Sequence, residues 1–334
     1  MYWIIYCLFL VIGLILGGLF IKSNPHHQLR VNITLLFLSL FLTCMGVEFL
    51  FKVFFAQSDA FRYTLASRNW YDRYWEENSL GYRDVEWTAD MLAGKTKVMV
   101  VGDSFAAGSG IEYPEDRFAN QLGANLGNEY AIMVVASPGW DTIDEVQAIV
   151  EYPYTPDILV LSYYINDIEG VAYESGAQRP QIRTDPPLGL NWLVKNSYAM
   201  NFLYWRLVRF GPQEWASIYW NDWLLRIVND PEIRWRHRQE LLTIVEGAKA
   251  QQIPMVLVVF PNLAAIEASE PMVQPVIDLF VEYDVPVLDT RPILQQHDPA
   301  DTMVNAIDSH PNEMINEEVA EALYQLLLEH AVIE

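Results

Sequence analysis

Apolar and polar positions follow three regimes along the chain. Met1 to Ile21 holds no charged side chain, and Val31 to Phe55 is apolar apart from Glu48 and Lys52. At a rise of about 1.5 Å per residue, either run is long enough as a helix to cross a hydrocarbon layer roughly 30 Å thick. The polar stretch Lys22 to Arg30, broken by Pro25, separates them, so a two-helix transmembrane hairpin is expected over about 1–21 and 31–55. A cleaved signal peptide is the competing reading of the first run. It is disfavoured by the lack of a basic leader and of a small-x-small cleavage site before Lys22. Glu48 stands four residues before Lys52, the spacing of a local ion pair on one helix face, and that reading outweighs a functional acid in the membrane.

Residues 56–94, rich in Tyr, Trp and Arg, read as an irregular juxtamembrane segment. From Lys95 the period changes. Val98 to Val101, Ala131 to Ala136, Asp157 to Tyr163, Pro254 to Phe260 and Val285 to Asp289 are short apolar runs rich in β-branched residues, each closed by polar, Gly, Pro or Asn positions. Amphipathic stretches lie between most of them, including Phe118 to Leu126, Thr142 to Glu151 and Arg238 to Gln251. Buried strands alternating with helices predict a three-layer α/β/α domain over 95–334, with a mostly parallel five-stranded sheet. An insertion at about 170–236 carries six of the eleven tryptophans: Trp192, Trp205, Trp215, Trp220, Trp223 and Trp235. It suits either a cover for the site or a membrane-resting element, against the plainer reading of a helical subdomain with an aromatic core.

Charge sharpens the division. The net charge is −22, yet residues 1–58 carry Lys22, Arg30 and Lys52 against Glu48 alone, so the acidity belongs to the part after the hairpin. A surface so poor in Lys and Arg excludes a polynucleotide partner. Cys7 and Cys44 are the only thiols, which excludes a disulfide framework and a cysteine-ligated zinc site. His26, His27, His237, His297 and His330 show no paired ligand spacing and default to surface or interface positions. The Gly-rich run 102–110 lacks the Lys-Ser/Thr ending of a P-loop, so a nucleotide site is disfavoured.

In parallel α/β folds, ligands collect at the carboxyl ends of the strands. After the first strand comes Gly102-Asp103-Ser104, where a serine in a strand-to-helix turn exposes its hydroxyl at the sheet edge and is a candidate nucleophile. After the second comes Ser137-Pro138-Gly139, where Gly139 would offer its N–H to an oxyanion with no side chain in the way. The third ends in Asn166-Asp167, whose amide is a further donor, although such a pair alone is more often a turn. Near the C-terminus, Asp308-Ser309-His310 precedes an amphipathic helix over Glu317 to His330; His310 would serve Ser104 as general base and Asp308 would orient the imidazole.

This order of blocks, Ser then Gly then Asn then Asp/His, resembles that of the SGNH hydrolases, the GDSL esterase/lipase superfamily. The resemblance covers roughly 80–330 and begins at Asn78-Ser79-Leu80-Gly81-Tyr82-Arg83-Asp84, a lead-in similar to that of envelope-associated bacterial members. It implies an SGNH/flavodoxin-like sheet, Ser104, His310 and Asp308 as the catalytic set, an oxyanion hole from Ser104, Gly139 and Asn166, and no cofactor or metal. Three positions depart from the pattern: Tyr164 stands where a Gly is usual, Asp308 lies two rather than three residues before His310, and Ile315 replaces a frequent Gly. Asp301 or a backbone carbonyl is the alternative partner for the imidazole.

The expected activity is hydrolysis or transfer of O-acyl groups, with an acylated glycan or lipid ester as substrate and O-acetyl on an envelope polysaccharide as one candidate. A non-catalytic subunit of a membrane complex, keeping the fold for binding, is the alternative from another class. Lys22 and Arg30 in the short loop favour a cytoplasmic loop. That places the protein in the cell membrane, a bacterial inner membrane by its resemblance, with the catalytic domain outside the cytoplasm.

Overall fold

The computed structural model describes residues 27–59, 63–179, 186, 188–208 and 212–333, which fall into two compact units. Besides single turns, the elements up to the insertion are α1 (His27–Phe54), α2 (Leu65–Tyr74), β1 (Thr96–Gly102), α3 (Ser104–Ala107), α4 (Phe118–Leu126), β2 (Tyr130–Ala136), α5 (Thr142–Glu151) and β3 (Ile158–Tyr164). They continue with α6 (Glu169–Glu174), α7 (Leu188–Asn196), α8 (Tyr198–Val208), α9 (Pro212–Asn229), α10 (Pro231–Ala250), β4 (Met255–Phe260), α11 (Glu270–Glu282), β5 (Val287–Asp289), β6 (Met303–Asn305), β7 (Asp308–Pro311) and α12 (Glu313–Glu329).

The larger unit comprises 58–60, 73–182 and 213–334. Its five strands run parallel in the order β2-β1-β3-β4-β5. Val98 to Val101 and Val256 to Val259 have no exposed surface, which is why these strands read as continuous rather than alternating apolar runs. The chain steps one way from β1 to β2 and the other way from β2 through β3 and β4 to β5. With right-handed crossovers, that reversal puts helices on both faces of the sheet. The packing agrees: α4 lies against α12, whereas α5 lies against α10.

Boundaries follow local chemistry. Asp141 caps α5 by accepting from Ile143 and Asp144 N–H, so that helix starts where its amphipathic pattern does. The helix expected from Arg238 begins earlier, at Pro231, because Asp230 caps it and proline suits the first helical position. The helix expected from Glu317 likewise begins at Glu313, where Asn312 accepts from Ile315 N–H; this is the changed start signalled by Ile315.

The smaller unit comprises chain up to Gln57, 61–72 and 183–212. Within it, Val31–Phe54 is a 24-residue helix long and apolar enough to cross a membrane, with mean hydropathy 2.1 over its most apolar 18 residues. The first expected span, Met1 to Ile21, lies outside the described residues. Two expectations are corrected here. Residues 56–94 are not irregular throughout: α2 forms there, burying Ser67, Trp70 and Tyr71 three and four residues apart on one helix face. The Glu48–Lys52 ion pair is absent from the described residues. Glu48 instead accepts from Ser197 Oγ (2.8 Å), Tyr198 N (2.5 Å) and Ala199 N (3.3 Å), because unpaired helix N–H groups and a hydroxyl compete better for the carboxylate than a solvent-facing lysine.

Candidate active site

Register decides where the chemistry collects. Gly102 pairs with Ala136 on one side and Ser162 on the other, so β1, β2 and β3 present their carboxyl ends at one edge. Asp103 and Ser104, the Ser137 turn, and Asn166 all follow from that edge. Gly102 is a glycine for closeness: a Cβ there would lie 2.7 Å from Ser162 O and 3.0 Å from Ala106 Cβ. Asp103 has no exposed surface and caps α3 by accepting from Phe105 N–H at 2.9 Å, turning the chain so that Ser104 opens the helix.

Ser104, His310 and Asp308 form one hydrogen-bonded chain. His310 Nε2 lies 2.7 Å from Ser104 Oγ, and His310 Nδ1 lies 2.5 Å from Asp308 Oδ1. With its Nδ1–H donated to Asp308, the imidazole keeps Nε2 as the acceptor facing the serine. The two-residue spacing is what makes this reach possible. Asp308 and His310 both sit on β7, and residues two apart on a strand share a face. Asp301 is not needed for the contact; its carbonyl accepts from Asn312 instead.

The same proximity tunes both groups. Burial alone would push Asp308 up, but the charge of His310 and hydrogen bonds from His310 and Ser58 hold it below the usual carboxylate value. Burial likewise opposes protonation of His310, yet attraction and hydrogen bonding to Asp308, with Asp103 beyond, raise it above the ordinary imidazole value.

The oxyanion candidates are placed with less mutual contact. Asn166 occupies the turn after β3, where Glu169 N–H donates to its carbonyl at 2.8 Å. Its side-chain amide lies close enough to Asp103 to favour the carboxylate, while its buried Oδ1 has no partner. Gly139 lies exposed on the turn closed by Trp140 N to Ser137 O, at φ +85° with open space around a would-be Cβ. Backbone handedness, rather than crowding, is therefore what calls for glycine there. Tyr164 does not stand free beside Asn166. Its ring stacks on Phe105 at 4.0 Å, and Phe105 in turn lies 5.1 Å from the His310 ring.

Several residues that hold this arrangement were not singled out in the sequence. The Ser58 hydroxyl donates to Asp308 Oδ2, and Asn305 holds the Ser58 carbonyl at 3.0 Å. No local pattern marks Ser58, which is 250 positions from its partner. Arg83, buried in the Asn78–Asp84 lead-in, donates to Gly108 O (2.7 Å), Ile111 O (2.8 Å) and Glu112 O (3.0 Å), bracing the loop that carries Ser104. Burial lowers Arg117 to about 10 against the opposing charge of Asp84, and its guanidinium holds Arg83 O at 2.6 Å. Behind the Asn166 turn, Glu145 and Asp167 are buried, and each is pushed well above the usual carboxylate value by burial and then by the other acids.

His237 corrects the surface default: it is buried and lies 3.3 Å from Tyr163 Oη. His297 pairs with Glu318 at 2.9 Å. Among the described residues no group of His, Cys, Asp and Glu is arranged to hold a metal. The insertion's Trp223 is core, stacked on Tyr173, and Trp220 donates to Glu169 at 2.6 Å, whereas Trp192 and Trp235 are exposed.

No family model matches the sequence, and no curated protein matches it. Among solved structures, similar chains are a lipase/acylhydrolase from Enterococcus faecalis, the esterase EstA from Pseudoalteromonas sp. and a carbohydrate acetylesterase family member from Sinorhizobium meliloti. Their identities are 12, 11 and 15% and their TM-scores 0.42, 0.43 and 0.39. The matches cover 70, 72 and 71% of this chain and 96, 100 and 100% of the others. At that distance likeness carries no argument of its own, and the functional reading rests on the site's geometry.

Proposed function

We propose that this protein is a membrane-tethered serine ester hydrolase of the SGNH/GDSL type, acting on O-acyl groups. The observation that carries the reading is the chain Asp308–His310–Ser104, with contacts of 2.5 and 2.7 Å. Ser104 Oγ attacks the ester carbonyl carbon as His310 Nε2 takes its proton, and Asp308 stabilises the imidazolium. Negative charge moves to the carbonyl oxygen, where the Ser104 N–H, the Gly139 N–H and the side-chain amide of Asn166 are the donors. His310 then protonates the leaving alkoxide, the C–O bond breaks, and a water activated by the same imidazole hydrolyses the acyl-serine. A sugar hydroxyl in place of water turns hydrolysis into transfer by the same residues.

Tyr164, where a Gly is usual, stacks on Phe105 beside His310, and we read that crowding as favouring a short acyl group such as acetyl, with an envelope glycan as its bearer. The catalytic region is 95–334, and the tether is the hairpin over 1–55, with its Lys22/Arg30 loop cytoplasmic and the site outside. Fluorophosphonate labelling tests the serine chemistry: the wild type should be labelled and Ser104→Ala should not. A wild type inert to the probe and to every short-chain ester would return the chain to the non-catalytic reading.

A further inference from the structure

Within the smaller unit, α7 and α8 cannot be read as ordinary soluble helices. They extend over 9 and 11 residues, about 14 and 17 Å at the helical rise, too short to cross a bilayer. Polar side chains pair where the two helices meet, while Asn191 Oδ1 is buried without a partner and Lys195 and Arg206 are exposed. Asn201 accepts from Leu65 N (2.9 Å) and donates to Val194 O (3.0 Å), while Ser197 accepts from Met200 N–H (3.1 Å) as the cap of α8. Beside buried Val194, large apolar side chains on both helices face outward: Leu188 is 98% exposed and Leu207 73%, and Leu190, Trp192 and Leu203 are exposed as well.

Two observations identify what covers this face. The first is how α8 is seated. Phe202 packs at 4.9 Å from Phe51 and 5.0 Å from Phe55, and Glu48, the one acid in the apolar length of α1, gives its carboxylate to the start of α8. An ionised carboxylate in an apolar segment is costly unless its acceptors are filled. Here Ser197 and the N–H groups of Tyr198 and Ala199 fill them. The exposed face of the two helices thereby continues the exposed apolar surface of α1, where Phe49, Leu50 and Phe54 also point outward.

The second is charge. Residues 188–208 carry Lys195 and Arg206 and no acid, in a chain of net charge −22. Arg206 lies over the Phe202 ring at 4.2 Å, its stem along apolar surface, as cationic side chains do where acyl chains meet headgroups.

We propose that α7 and α8 form a re-entrant hairpin embedded in one leaflet of the bilayer, socketed on the membrane span through Glu48. The inference rests on α1 being a membrane span, and the experiment separates the two. Single cysteines are placed at Leu188, Leu203 and Leu207 in the full chain carrying Cys7→Ser and Cys44→Ser. Leu36 in mid-α1 serves as the span control and exposed Val150 on α5 as the aqueous control. Each variant is spin-labelled in phosphatidylcholine/phosphatidylglycerol vesicles, and its collisions with oxygen are compared with those of a water-soluble nickel chelate. Labels at 188, 203 and 207 should favour oxygen, as at 36, while 150 favours nickel. Nickel access at the three hairpin sites with oxygen preference kept at 36 overturns the hairpin and leaves the span standing. Shielding from both reagents means that protein, not lipid, covers the face, and also overturns it. If 36 is itself aqueous, span and hairpin fall together. Glu48→Ala should release the hairpin, read as a sharper spectral line at 203 with the line at 36 unchanged.

Discussion

Ser58→Ala is the substitution that asks most of the site geometry. It removes one hydroxyl, the donor to Asp308 Oδ2, and leaves the backbone carbonyl that Asn305 holds. Asp308 is 1% exposed and still receives His310 Nδ1–H and N–H on Oδ1, so the imidazole is still held while the carboxylate loses a buried, charge-assisted bond. Such a bond contributes roughly 1.5–3 kcal/mol. In the transition state Asp308 must offset an imidazolium, so the full loss would lower kcat by roughly 10- to 150-fold at about 1.4 kcal/mol per decade. Readjustment of the carboxylate makes the lower end the expectation. The assay is hydrolysis of p-nitrophenyl acetate by the full chain in detergent, with kcat and KM separated and Tm measured alongside. KM should hardly move, because Ser58 bonds to the triad acid and not to the substrate, and Ser58→Thr, which keeps the hydroxyl, should recover most of the rate. A kcat for Ser58→Ala within twofold of wild type, or a threonine variant as slow as the alanine, would refute the reasoning.

Four further outcomes follow from the same geometry. Ser104→Ala and His310→Ala should each abolish ester turnover, and Asn166→Ala should cost roughly 10²- to 10³-fold in kcat, the size of one oxyanion donor, in the same assay. His310 must be neutral to act as base, and its value is raised, so kcat/KM should rise with pH along a limb centred above the ordinary imidazole value. In Asp308→Asn the charge that raises His310 is gone, so the limb should move to lower pH while the plateau falls by roughly 10³- to 10⁴-fold, as for a mis-set tautomer. Burial and the neighbouring acids raise the Glu145 carboxyl in the fold above its value in the unfolded chain. The wild type should therefore lose stability as pH rises from the ordinary carboxyl value toward the raised folded one, and Glu145→Gln should raise Tm at pH 8 and leave it unchanged at pH 4; equal shifts at both would contradict this.

What the sequence disclosed was mostly local. The apolar runs located all five strands within a few residues, and Phe118–Leu126 and Thr142–Glu151 match their expected ends because their boundaries are marked by turn and cap residues. Asp308 looked misplaced only under a spacing rule; once Asp308–Pro311 is a strand, an acid two residues before the histidine is on the correct side. The contacts that stayed hidden join distant positions. Glu48 had a suitable lysine four residues away, and nothing in that stretch announces a helix start 150 positions later that takes its carboxylate. Ser58 and Arg83 likewise act through partners that neither periodicity nor composition connects. His237 defaults to a surface or interface position because an isolated histidine carries no pattern, and burial beside Tyr163 depends on the helix that brings it there.

Ser58 also bears on how such an enzyme could be turned off. Only Phe55, Ala56 and Gln57 separate it from the last residue of α1, and Asp59 just beyond is buried with it. A protease that cuts within those three residues leaves Ser58 with the catalytic region; a cut any further along separates Ser58 from the chain that carries Asp308. A cut past Ser58 would then slow turnover to about the extent expected for Ser58→Ala, whereas a cut before it would not.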